Sequence, residues 1–279
     1  MLPNFLGIGV PKAGTTWLYE LLKSHPDIWV PPQRREVRFL NQLPNRSLSW
    51  YRRFFPSEES QEYSAVGEVS PHYLYCDSDQ ISFLRRKIPS ARRFILILRH
   101  PVDRVCSHYW FRRRVANLDV SFQEYIEENP GILESSWYVE SVRRWFRHFD
   151  RECFLILLFE EDLPAPDRAK QKLSDFLEVP ASAFPDEAGE GKKNERYVPV
   201  LKGLYSWATN VAERLRKRNM DWLVHLSKRM GVKNLFGRQQ VERQPMDSAL
   251  RSSLEEELLS QVDELEELTG RDLSIWREK

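Results

Sequence analysis

The sequence predicts an α/β fold: a central parallel β-sheet flanked by helices, with a helical carboxyl-terminal part. Short apolar runs early in the chain are continuous rather than alternating, which is how strands covered on both faces of a parallel sheet read. Helical periodicities lie between them, so strand and helix alternate along the chain. The first run also passes straight into a helix through a loop that includes Gly9 and Gly14, which marks the sheet as P-loop-type.

Taken in order, FLGIGV (5–10) is the first strand. Trp17, Leu18, Leu21 and Leu22 then recur at i, i+1, i+4 and i+5, one face of a helix that stops near His25 and Pro26. SAVGEV (64–69) is a weaker strand and FILILR (94–99) a strong one, followed by a helix whose apolar stripe is Val102, Val105, Cys106 and Tyr109. CFLILLF (153–159) is the last strand. Helical patterns fill 166–178, 204–230 and 247–269, and the polar segments 190–199 and 232–245 read as loops. No repeat or linker divides the chain, so a single domain covers residues 1–279.

Composition bounds the function. With 279 residues, 41% of them hydrophobic and 12% aromatic, the chain has material for a full core and is not disordered. A net charge of +1 argues against a protein that is basic throughout and built to hold nucleic acid. The total hides an asymmetry: residues 85–114 hold ten Arg or Lys against one acid, Asp103, a net +9. Residues 247–272 hold nine acids against two arginines, a net −7, which reads as a solvated helix face. Cys76, Cys106 and Cys153 form no CxxC pair and read as free thiols of a reducing compartment. The longest apolar stretch has seven residues, far short of a membrane span, and the amino terminus begins a strand almost at once. The expectation is a soluble, cytoplasmic protein with no membrane partner.

Two motifs carry chemistry. GVPKAGTTW (9–17) aims free backbone amides and the positive end of a helix dipole at one point, which suits a phosphate. It nearly fits G-x-x-x-x-G-K-[ST], but Thr15 stands where a nucleotide triphosphatase needs lysine, and Lys12 lies inside the loop. No strand-terminal Asp stands out as a metal ligand, so none is expected. At the end of FILILR, Arg99 and, eight residues on, Ser107 can converge on a second phosphate. Together the two sites point to a nucleotide with two separated phosphates. A small-molecule kinase using the same loop is the rival reading, and a basic nucleic-acid-binding module drawing on 85–114 is the other.

PKAGTTWL (11–18), with Arg99 and Ser107, resembles the 5′-phosphosulfate loop and the 3′-phosphate pair of sulfotransferases that use 3′-phosphoadenylyl sulfate. REVRFLNQ (35–42), SWYRRFFP (49–56), GEVSPHYLY (67–75) and FEEDL (159–163) resemble, in order, segments of the heparan-sulfate and related bacterial branch, so the likeness covers nearly the whole chain as one sulfotransferase domain. It implies that Lys12 binds the 5′-phosphate and the bridging oxygen. Ala13, Gly14, Thr15 and Thr16 would give amides and hydroxyls to the same phosphate, and Arg99 and Ser107 would hold the 3′-phosphate. Trp17 either stacks on adenine or is a core tryptophan. Glu36 sits where the branch has its catalytic glutamate; it would be the base, or would merely pair with Arg34, Arg35 or Arg38. His72 is the second candidate base.

Two departures stand out: Val69 where the branch usually has lysine, and Arg38 where it often has histidine or glutamine. The segment that covers the nucleotide in the family would be Lys233 to Arg243, with Arg238 a candidate contact. The implied reaction moves a sulfuryl group to a hydroxyl or amine of a carbohydrate or small metabolite. No metal is required for it.

Overall fold

The computed structural model describes residues 1–57, 63–116, 120–190 and 246–277, with the isolated positions 197, 198, 211, 239 and 240. In chain order these residues form β1 (Phe5–Gly9), α1 (Thr15–Ser24), β2 (Ile28–Trp29), α2 (Leu48–Arg52), β3 (Ala65–Val69), α3 (Ser78–Lys87), β4 (Arg93–Leu98) and α4 (Pro101–Ala116). There follow α5 (Phe122–Glu128), α6 (Gly131–Glu134), α7 (Tyr138–Phe146), β5 (Phe154–Leu158), α8 (Phe159–Asp162), α9 (Pro166–Leu177), α10 (Ser248–Leu259) and α11 (Val262–Thr269).

These five strands make one parallel sheet in the order β2, β3, β1, β4, β5. Within the segments expected to be loops, Tyr197–Val198 and Gln239–Gln240 pair as a separate antiparallel ladder. Continuous apolar runs became strands because both faces of the sheet are covered: Phe94 to Leu98 are at most 1% exposed. Burying each such side chain contributes roughly 1.5–3 kcal/mol relative to leaving it in water. β1 lies between β3 and β4, so the chain leaves it toward one side and later continues on the other. This switch point opens a crevice at the carboxyl ends of the strands, where ligands of such sheets bind.

The weak strand at 64–69 is real, and β2 adds a two-residue edge that the sequence did not signal. CFLILLF stops as a strand at Leu158, because the buried Asp162 carboxylate accepts from Leu158 N at 2.7 Å and starts α8. The expected helix at 247–269 is two helices, α10 and α11. The buried Gln261 at their junction explains the break: its amide accepts from Tyr138 N at 2.6 Å and donates to Ser136 O at 2.9 Å. Apart from position 211, the expected helix 204–230 lies outside the described residues.

Neither charged stretch is one patch. Arg85, Arg86 and Lys87 end α3, and Arg92 and Arg93 lie at the start of β4, the far end of the sheet from the crevice. Only Arg99 onward belongs to the carboxyl end. The acidic tail is largely exposed yet stitched to the body: Glu264 pairs with Arg143 on α7, and Arg251 with Asp103 on α4 at 3.1 Å. Beyond α11, Trp276 Nε1 donates to Glu160 Oε2 at 3.1 Å, and Glu160 Oε1 accepts from His100 N at 3.0 Å.

Candidate functional site

The loop after β1 has the geometry that its sequence implies. Gly14 is the N-cap of α1 in a left-handed conformation, φ 88°. A Cβ there would lie 2.4 Å from Leu163 Cδ2, so glycine is required on two grounds. No side chain caps α1 and no acid occupies its first turn, which leaves the amides and the helix dipole for an anion. Lys12 also has positive φ, 77°, and its Nζ sits 3.0 Å from the centroid of the Phe111 ring on α4. Burial, reinforced by the charge of Arg114 and opposed by Glu36, lowers the Lys12 pKa to about 7. An anion at this point would restore its charge.

Arg99 leaves the end of β4 and donates from Nη1 to the carbonyl of Lys12 at 2.8 Å, with its guanidinium over the Phe159 ring. Its buried Nε has no partner among the described residues. Ser107 lies half-buried on α4. Arg99 therefore braces the loop after β1. Trp17 packs half-buried at the edge of the core and donates from Nε1 to Gly189 O at 3.0 Å.

Glu36 meets the loop through arginine. Arg35 Nη1 donates to Thr16 Oγ1 at 3.0 Å, and its Nη2 lies 3.4 Å from Glu36 Oε1. Arg38 Nε donates to Glu36 Oε2 at 2.8 Å. Burial alone would raise the Glu36 pKa, but Arg38 and then Arg35 outweigh it and hold the carboxyl below its ordinary value. The pairing expected with Arg35 and Arg38 is thus present, while Arg34 donates from Nε to the backbone carbonyl of Glu36 at 3.3 Å and lies over the rings of Trp50 and Phe54.

The segment bearing Glu36 is fixed from β3. Glu68, 0% exposed inside a strand, accepts four bonds: from Val37 N (3.0 Å), Tyr51 OH (2.7 Å), Ser70 Oγ (2.6 Å) and Tyr73 OH (2.6 Å). Arg38 N donates to Ser70 Oγ and Phe39 N to Tyr73 Oη, so three successive backbone amides are held. Sequence reasoning missed this hub; its signal was an acid within the apolar run AVGEV.

His72 follows in the turn after β3. Burial first, and then Arg38, lower its pKa to about 4, so the imidazole is neutral at pH 7. His108, beside Ser107 on α4, went unnoticed in the sequence and is brought to about 4 in the same way, by burial and by Arg104. Arg104 is 1% exposed, with bonds to Ser136 Oγ, Ile132 O and Ser135 Oγ. It is a buried cation among neutral partners, and it adds to the positive field felt by Lys12, His72 and His108. Lys12, Glu36 and His72 all act on one another electrostatically, so the fold brings the three candidate catalytic residues to one place. The carboxylates after β5 are engaged elsewhere: Glu160 holds His100 N and Trp276, and Asp162 holds Lys172 at 2.6 Å. Of the covering segment Lys233 to Arg243 only Gln239 and Gln240 are described, paired antiparallel with Val198 and Tyr197, and Arg238 lies outside the described residues.

Comparison with known proteins agrees with this geometry. A family model described as the sulfotransferase domain matches residues 2–265. Human bifunctional heparan sulfate N-deacetylase/N-sulfotransferase 3 is 30% identical over 197 residues, which are 64% of this chain and 22% of that protein. Mouse heparan sulfate glucosamine 3-O-sulfotransferase 3A1 is 28% identical over 192 residues, 63% of this chain and 46% of that protein. The chain thus spans less than half the length of these curated relatives. The crystal structure of a sulfotransferase from Alicyclobacillus acidocaldarius superposes with a TM-score of 0.71 and 24% identity over 100% of both chains, which shows a shared fold.

Proposed function

The chain belongs to the sulfotransferase domain family, and from that premise we propose that it transfers the sulfuryl group of 3′-phosphoadenylyl sulfate to a hydroxyl or amine of a carbohydrate, releasing adenosine 3′,5′-bisphosphate. The observation that carries this reading is the uncapped start of α1 beside Lys12, to which Glu36 is linked through Arg35, bonded to Thr16 Oγ1 at 3.0 Å and to Glu36 Oε1 at 3.4 Å. The curated relatives, named for heparan sulfate, support a carbohydrate acceptor.

The acceptor oxygen or nitrogen attacks sulfur while the bond from sulfur to the phosphate oxygen breaks. The electron pair stays on the phosphate and the acceptor proton passes to Glu36. Lys12, recharged by the anion, neutralises the departing oxygen. The amides of Gly14, Thr15 and Thr16, with the threonine hydroxyls, hold the 5′-phosphate, whereas the expected amide of Ala13 is already donated to Val10 O at 3.2 Å; Arg99 and Ser107 hold the 3′-phosphate. A sulfuryl group carries less negative charge than a phosphoryl group, so a lysine can serve where kinases use magnesium. Glu36 is ionised at neutral pH and can accept the proton; neutral His72 stands beside it as the alternative acceptor. A cytoplasmic setting completes the proposal and suits the three free thiols.

Calorimetry tests the donor. Adenosine 3′,5′-bisphosphate should bind without magnesium, and labelled sulfuryl transfer from 3′-phosphoadenylyl sulfate should follow with oligosaccharide acceptors. Tight magnesium-dependent binding of ATP, with none of the bisphosphate, would overturn the reading in favour of a kinase.

A further inference from the structure

The candidate base is not free in this structure. Arg38 takes Glu36 Oε2 through Nε at 2.8 Å and Nη2 at 2.5 Å, and Arg35 takes Oε1 at 3.4 Å. These two grips differ. Arg35 is also tied to the phosphate loop at Thr16 Oγ1. The backbone of Arg38 is locked in a left-handed conformation, φ 58°, by Ser70 Oγ on its amide and Gln42 Nε2 on its carbonyl. Its side chain stays 46% exposed, while that of Glu36 is 20% exposed. An exposed arginine–carboxylate pair is weak, and a guanidinium fork binds one oxyanion about as well as another, so an incoming anion competes with Glu36 on even terms. A neutral acceptor offers no such replacement and leaves Glu36 occupied.

We infer that Arg38 is a specificity residue that works by exchange: a carboxylate or sulfate ester beside the acceptor's nucleophile displaces Glu36 from Arg38 and frees Glu36 to take the proton. This rests on the sulfuryl-transfer reading and narrows it to anionic acceptors. The exchange moves no covalent bond. Lys12, Arg35, Arg38 and His72 are the charged or titratable neighbours that act on Glu36, and of these Arg38 combines exposure with the shortest contact.

The test uses the full chain saturated with adenosine 3′,5′-bisphosphate, so that the phosphate sites are filled, and two probes differing in one group. These are p-nitrophenyl β-D-glucuronide, with a carboxylate, and p-nitrophenyl β-D-glucoside, with a hydroxymethyl. Calorimetry should find the glucuronide bound a few-fold more tightly, because displacing Glu36 offsets most of the roughly 10- to 100-fold that an uncontested charge-assisted contact gives. Arg38→Gln should erase that preference, Arg38→Lys should keep part of it, and Glu36→Gln should raise glucuronide affinity by removing the competitor. This opposite sign at Glu36 is what a merely structural ion pair would not produce. Equal binding of the two probes, no binding of the glucuronide, a preference that survives Arg38→Gln, or a loss of glucuronide affinity in Glu36→Gln overturns the inference. Bisphosphate affinity in each variant reports whether the fold is intact. A wild-type chain that takes no bisphosphate overturns the donor reading separately, while the two glucosides still decide the role of Arg38.

Discussion

Glu36 and Glu68 flank the same short segment, and their surroundings are opposite. Glu68 is sealed in the sheet and accepts four hydrogen bonds from a backbone amide and three hydroxyls. Glu36 is partly open and is held by the side chains of two exposed arginines. Neutral donors in a dry site are fixed partners whose loss leaves buried polar atoms unpaired. Guanidinium groups at a surface are exchangeable partners, worth little to stability but well placed to trade one anion for another. One carboxylate therefore builds the segment, and the other is the one to which the proposed reaction gives the acceptor's proton.

The contrast is broken most easily on the working side. Lys12→Ala should abolish measurable sulfuryl transfer while the thermal unfolding curve stays in place, and Arg99→Ala should do the same mainly through lost bisphosphate affinity, read by calorimetry. Next, Glu36→Gln should lower kcat by roughly 10²- to 10⁴-fold, the range for losing a general base, with bisphosphate affinity nearly intact. An active Glu36→Gln beside an inactive His72→Ala would move the base to His72. On the building side, Glu68→Ala strands several buried donors and should cost about 4 kcal/mol in chemical denaturation, whereas Glu36→Gln should leave stability unchanged. A Glu36 variant that unfolds as readily as the Glu68 variant would erase the distinction.

The smallest effect concerns pH. In the free protein the Lys12 ammonium is present below about pH 7 and is lost as pH rises through that value, because burial and Arg114 lower its pKa. Bisphosphate binding needs the charged form, so affinity should fall by up to about tenfold per unit above that point. Titrations in buffers of different ionisation heat should show proton uptake on binding at high pH and none at low pH.

What the sequence revealed was local. The strand at 5–9, the loop around Lys12 and α1 are set by neighbouring residues, so periodicity and glycine spacing were enough to read them. The pairing of Glu36 with Arg35 and Arg38 was likewise within reach of a few residues. The long-range features were not legible. Nothing near residue 68 announces that Tyr51 and Val37 will both turn to its carboxylate, and nothing near 264 announces Arg143. Reading the acidic tail as a solvated face missed its ion pairs because their partners come from other helices. His108 escaped notice because its meaning lies in its proximity to Lys12 and His72, which only α4 packing creates.

Trp276 fixes one oxygen of the Glu160 carboxylate whose other oxygen receives His100 N, the amide after Arg99, so the two bonds share one hinge point. A substitution at Trp276 therefore loosens the turn after β4 without touching any residue of the crevice, and along these bonds its effect travels through a single side chain.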